Sequence, residues 1–160
     1  MPEIVVSDAS PLISLAILHK LDILAAIYKK VVVPETVYAE VTAYKKPFAD
    51  VIGSFLSGRV VAVCNQLAVD VLSVNIDAGE AEAIILALEL KSGDVLMDDY
   101  KARKVAEREG LTPVGTLGLL IEAKRRGLIQ SLKSNLDILM ENNRRISSEL
   151  YNYVLNTYEP

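Results

Sequence analysis

Two adjacent carboxylates, Asp98 and Asp99, close the apolar run Val95-Leu96-Met97 in the stretch LMDDYKAR. Neighbouring negative charges repel, and a tight turn does not require two of them in succession. The chemistry they suit is sharing a cation, provided that acids from other segments reach the same place. Asp8 directly follows the apolar run IVVS, Glu40 lies in the segment opened by Pro34, and Glu82 lies in DAGEAEAIILALE. Each acid taken singly also has an ordinary structural role. Asp8 and Asp99 are placed to cap helices, Asp98 to sit in a turn, and Glu40 to face solvent. Glu80 is best explained by structure, because Asp77-x-x-Glu80 has the spacing of a capping box. Glu82 has no such explanation, and it stands about 160° from Glu80 around a helix, so the two serve different purposes.

The composition narrows what these acids can do. The 160 residues suit one domain with a substantial core, and 51% hydrophobic with 24% charged residues reads as globular. A net charge of −4 argues against a surface that coats nucleic acid or membrane in bulk, though not against a local basic groove. A single cysteine, Cys64, and a single histidine, His19, leave no basis for a disulfide, a cysteine or histidine zinc site, or a Ser-His-Asp triad. Oxygen ligands without nitrogen or sulfur suit Mg²⁺ or Mn²⁺. The opening residues lack the pattern of a signal peptide, and no apolar run approaches the ~20 residues that span a bilayer. The expectation is a soluble, cytoplasmic protein with no membrane association.

The elements that must position these acids are legible as alternating short strands and helices. Strands are expected over 3–7, 30–34, 59–63, 94–97 and 111–115, each a short apolar run rich in β-branched residues. Ser10-Pro11 has the form of an N-cap followed by proline at the first helical position. Further helices are expected over about 21–28, from Pro34 onward, and over 47–57, 75–93, 100–109, 116–126, 129–142 and 147–157. Gly93 and Gly110 are placed to end two of them. This alternation implies a parallel sheet covered on both faces, with functional groups gathered beyond the carboxyl ends of its strands. Asp8 would then meet Asp98 and Asp99 if the first and fourth strands are neighbours.

The motifs VVSDASPLI, VVVPETVYAEV, DAGEAEAIILALE, VLMDDYKARKVAEREGL and PVGTLGLLIEAKRRGLI stand in this order along most of the chain. In them the chain resembles PIN-domain proteins, metal-dependent ribonucleases that include the VapC toxins, and most of all a prokaryotic branch of that family. The resemblance implies a single domain over 1–160: a three-layer α/β/α sandwich around a parallel five-stranded sheet of order 3-2-1-4-5. Helices from about 116 onward would pack on it. It implies a Mg²⁺/Mn²⁺-dependent endoribonuclease cutting single-stranded RNA through metal-activated water. The acidic set would be Asp8, Glu40, Glu82 and one of the pair Asp98 and Asp99, acting as catalytic and metal-binding residues. Ser10 matches the second hydroxyl position of the first motif. The chain departs from the commoner toxin pattern in having glutamate at Glu82 and YKAR after the acid pair.

Basic residues offer phosphate contacts in two clusters, Lys101, Arg103, Lys104 and Arg108, and then Lys124, Arg125 and Arg126. Arg103 and Lys104, with Ser10, are the candidate substrate contacts. RNA, an antitoxin protein and a second copy of the chain, through the helix ELYNYVLNTY, are the partners the resemblance implies. A catalytically weak PIN module that binds a partner chain is the alternative. A dehalogenase-like reading fails because Ser10 stands where the second aspartate is required. A receiver reading fails because Gly115-Thr116 stands where a lysine is required.

Overall fold

The computed structural model describes residues 3–160. At the centre of its sheet, β1 (Ile4–Ser7) pairs in parallel with β2 (Lys30–Val32) on one side and β3 (Asp94–Leu96) on the other. β4 (Thr112–Val114) lies beyond β3, so the order is β2-β1-β3-β4. Side chains alternate along a strand. Val5, Val31 and Leu96 therefore enter one buried core, while Val6, Val32 and Val95 enter the other.

The first core is covered by α1 (Ala9–Ile17), α2 (Asp22–Ile27), α8 (Thr116–Arg125) and α9 (Leu132–Glu141), which bring Leu12, Leu24, Leu120 and Leu136. Ile52 of α4 (Ala49–Phe55) and Val154 of α10 (Ser148–Tyr158) complete it. The second core is covered by α5 (Gln66–Leu72), α6 (Ala78–Glu89) and α7 (Tyr100–Arg108), through Val69, Ile84 and Val105. α3 (Glu35–Val41) packs against both α1 and α6 and so joins the two helical layers. The result is a three-layer α/β/α fold with a four-stranded parallel sheet.

This corrects the expectation of five strands in the order 3-2-1-4-5. Segment 59–63 meets the end of β2 through one parallel bridge only, Val33 to Val60. The Val33 N–H donates to the Arg59 carbonyl at 2.9 Å, and the Val61 N–H to the Val33 carbonyl at 3.0 Å. The chain then turns into a helix at Glu35, with Pro34 as its N-cap, so the ladder has no further residue to pair. The N–H groups of Cys64 and Asn65 then donate to the Glu89 carboxylate on α6, at 2.9 and 2.7 Å. That anchorage draws the chain away from the sheet and into α5, a helix not expected from the sequence, whose first turn is capped by Asn65.

Two helix ends also differ from expectation. α1 begins at Ala9, two residues before the expected start at Pro11, so Asp8 holds the N-cap position but makes no side-chain capping bond. Proline is tolerated inside the first turn because its missing N–H has no partner there. The left-handed residue after α6 is Lys91, with φ 56°, rather than Gly93. Among the described residues, no helix is long and apolar enough to cross a membrane.

Candidate acidic cleft and its flanking arginines

β1 is locked to β3 up to its last acid, because the Asp8 N–H donates to the Leu96 carbonyl at 2.8 Å. β3 is continued toward β4 by the Met97 N–H, which donates to the Val114 carbonyl at 3.0 Å. Asp8, Asp98 and Asp99 thus emerge side by side at the carboxyl edge of the sheet, where open parallel sheets build their sites. Glu40 from α3 and the first turn of α6 close the other side. Together they form a cleft of about 400 Å³, lined by Asp8, Glu40, Asp77, Glu80, Asp98 and Asp99.

Asp8 is buried, and burial is the main reason its carboxyl is pushed up to about 7. The Ala9 N–H opposes the shift, and the negative charges of Glu80, Asp77 and Glu40 add to it. Glu80 is likewise buried and pushed up to about 7, first by burial and then by Asp77 and Asp99, against the lowering effect of the Asp77 N–H. The capping box forms as its spacing predicts. The Asp77 carboxylate accepts from the Glu80 N–H at 2.8 Å, and the Glu80 carboxylate accepts from the Asp77 N–H at 3.0 Å. That reciprocal bond holds Glu80 at the cleft, so one residue both caps the helix and lines the site.

Glu82 is held elsewhere. Its carboxylate accepts from the Thr36 N–H at 3.3 Å and from the Thr36 hydroxyl, at the start of α3. It satisfies a helix N-terminus and does not line the cleft. Asp8, Glu40, Asp98 and Asp99 line one cleft, together with Asp77 and Glu80, while Glu82 lies outside it.

The two adjacent aspartates have different surroundings. Asp98 accepts three bonds: from Ser10 Oγ at 2.7 Å, from the Thr116 N–H at 2.7 Å and from Thr116 Oγ1 at 2.8 Å. It ties α1 and α8 to the end of β3. Asp99 caps α7 by accepting from the Ala102 N–H at 2.9 Å, and its exposed side chain borders the cleft.

Among the expected phosphate contacts, Arg103 turns toward this edge and donates from Nη1 to the Met97 carbonyl at 3.2 Å. Lys104 turns outward, over the Tyr100 ring and toward Glu107 at 3.4 Å. The second basic cluster is paired locally: Arg125 and Arg126 with Glu122 at 2.6 and 2.7 Å, and Lys124 with Glu159 at 3.4 Å. Arg144, unremarked in the sequence, lines the cleft. Its Nη2 donates to Ser10 Oγ at 2.6 Å and to the Ser10 carbonyl at 3.1 Å, and its Nε donates to Ser14 Oγ at 3.0 Å. No local motif signals it, because its partners lie more than a hundred residues away and meet it only through the packing of α9 on α1. Thr116 was legible only as a helix start; its bond to Asp98 requires β3 and β4 to be neighbours.

The donor chemistry of the cleft suits a hard divalent cation: every candidate ligand is oxygen, and two of the acids are pushed up to about 7, first by burial and then by neighbouring carboxylates. Among the described residues, no group of three or more of these side chains converges closely enough to hold an ion as placed.

A parallel sheet in an α/β/α sandwich, with acids collected at its carboxyl edge, defines a PIN-like domain. The model of the PIN-domain family DUF3368 matches residues 4–160, and the chain belongs to that family, which is consistent with the nuclease superfamily. No curated protein matches the chain.

Proposed function

We propose that the protein is a Mg²⁺- or Mn²⁺-dependent ribonuclease acting on single-stranded RNA. The observation that carries this reading is the pair Asp8 and Glu80: two buried acids, from different elements, both pushed up to about 7 in a cleft lined by further carboxylates. Such an arrangement is costly without a cation, and strongly perturbed acids in a cleft mark functional sites. Asp8, Glu80 and Glu40 would hold the ion, with Asp99 at the rim. When bound, the ion supplies an activated water and stabilises charge on the phosphate. Ser10 and Thr116 fix the orientation of Asp98 beside it. Glu82 belongs to the scaffold in this reading, holding α3, and hence Glu40, against α6.

The test is cleavage of a labelled single-stranded RNA in Mg²⁺ and in Mn²⁺. Activity should vanish in EDTA and fall by about a hundredfold or more in Asp8→Asn and in Glu80→Gln. Cleavage that survives EDTA or both substitutions sinks the reading.

The separation of the acids favours a second reading, a catalytically weak PIN module that binds a partner. It is distinguished by a metal-dependent rise in melting temperature without RNA cleavage. The role of toxin in a toxin–antitoxin pair belongs to the first reading. It is tested by whether expression of the wild type, but not of Asp8→Asn, arrests growth.

A further inference from the structure

A second cavity opens beside the acidic cleft. Its volume is about 630 Å³, and it shares Ser10, Asp98 and Arg144 with the cleft as a common wall. Its polar side carries Arg103, Arg144 and Arg145. Among the described residues, none of these three arginines makes an ion pair, whereas Lys124, Arg125 and Arg126 are all paired with glutamates. Arg144 is already held in place by Ser10 and Ser14 through Nε and Nη2, which leaves the Nη1 edge of its guanidinium to donate. The same cavity is lined by the aliphatic side chains of Leu117, Leu139, Ile146 and Leu150. Gly115 forms part of the wall, and a Cβ there would lie 2.8 Å from Arg103 Nη1 and 3.1 Å from Asp98 Oδ1. The glycine thus leaves room for Arg103 and Asp98 to pack against this part of the wall.

A cavity lined both by arginines without ion pairs and by aliphatic side chains suits a ligand with a phosphate and an apolar planar body. We propose that it takes one nucleotide of the substrate strand, the one next to the scissile phosphate. The phosphate would lie on Arg144 and Arg145, and the base would turn out of the stack against Leu117, Ile146 and Leu150. This rests on the ribonuclease reading for the identity of the strand. It adds that the strand must be unpaired at this nucleotide, because a base enters such a cavity only when it leaves its stack. It also makes the cavity the place where base preference is set.

The experiment uses the full chain in EDTA, where no cleavage occurs. Methyl resonances are followed by NMR while each of the four nucleoside 5′-monophosphates is added, and a labelled single-stranded ribo-oligonucleotide is titrated separately by anisotropy. The methyls of Leu117, Ile146 and Leu150 should shift, and to different extents for the four bases. Arg145→Glu and Leu150→Glu, both at exposed positions, should each weaken oligonucleotide binding by about tenfold, the size of one lost base or phosphate contact. Unmoved methyls with all four nucleotides, or variants that bind the strand as wild type does, overturn the proposal. The two readings fail separately. Nucleotide shifts in this cavity without RNA cleavage in Mn²⁺ would remove the ribonuclease and keep the nucleotide site. Cleavage with an unchanged KM in both variants would do the reverse.

Discussion

Asp8 directly follows β1 and Asp98 lies two residues beyond the neighbouring β3, at the same sheet edge, yet their surroundings are opposite. Asp98 accepts three hydrogen bonds from α1 and α8. Asp8, more deeply buried, has the Ala9 N–H as its one favourable contact against three neighbouring negative charges. Adjacent positions at one sheet edge are thus divided between holding the fold and resisting it. A charged group that tertiary contacts satisfy strengthens the structure, whereas one left short of donors stores a cost that only a ligand relieves.

The largest effect should come from removing the satisfied acid. Asp98→Ala leaves the start of α8 and the Ser10 hydroxyl without their acceptor, and should lower the unfolding free energy by about 2–3 kcal/mol. Urea titration measures it, and a variant as stable as wild type would mean that Asp98 is no latch. Asp8→Asn should do the opposite in EDTA at pH 8, raising stability by on the order of 1 kcal/mol, and it should abolish the rise in melting temperature expected of the wild type in Mn²⁺.

The same comparison has a pH signature. Asp8 and Glu80 keep their protons in the folded state up to about 7, whereas in the unfolded chain they lose them near 3.8 and 4.5. Between those values the folded state binds more protons than the unfolded one, so stability must fall as pH rises from about 4 to about 7. Metal affinity should rise over the same interval, because the ion competes with those protons. Melting curves in EDTA across this range should show the decline, and Asp8→Asn should reduce its slope. An unchanged slope in that variant would show that Asp8 is not the titrating group.

Glu80 and Glu82 extend the contrast along one helix. Glu80→Gln retains an acceptor for the capping bond and should weaken Mn²⁺ binding, measured by calorimetry. Glu82→Gln should leave that binding unchanged and cost about 0.5–1 kcal/mol through its weaker hold on Thr36. Metal binding that follows Glu82 instead would reverse the assignment. The smallest effect is expected of Gly115→Ala. An added Cβ would lie 2.8 Å from the mobile end of Arg103 and 3.1 Å from Asp98 Oδ1, so Arg103 should be displaced and Asp98 shifted slightly, at a cost of less than about 1 kcal/mol, while oligonucleotide binding weakens.

Much of this was legible before the fold. The alternation of β-branched runs with helical segments predicts a parallel sheet, since local periodicity reports which faces are buried. The capping box at Asp77 and Glu80 was readable because both partners lie within one helical turn. Asp8 and the acid pair were readable because they end apolar runs. What misled was a local rule applied to a nonlocal question. Segment 59–63 has the composition of a strand, but the start of α3 directly after its neighbour and the hold of Glu89 on Cys64 and Asn65 limit it to a single bridge. Sequence alone leaves open whether Glu80 or Glu82 is the third acid, since a capping role accounts for Glu80; the packing of α6 puts Glu80 in one cleft with Asp8.

By itself, then, the sequence determined most of the elements, though neither α5 nor the single bridge at 59–63, together with the oxygen-only chemistry of the cleft and the segments that bring acids to it, all of which depend on residue type and short-range spacing. The tertiary structure alone decided which acids face one another, that Glu82 serves α3 while Glu80 serves the cleft, and that Arg144 reaches Ser10. The reason is physical. The burial, the charge neighbours and the hydrogen-bond donors that give each carboxylate its character come from other elements, and local pattern says nothing of how those elements pack.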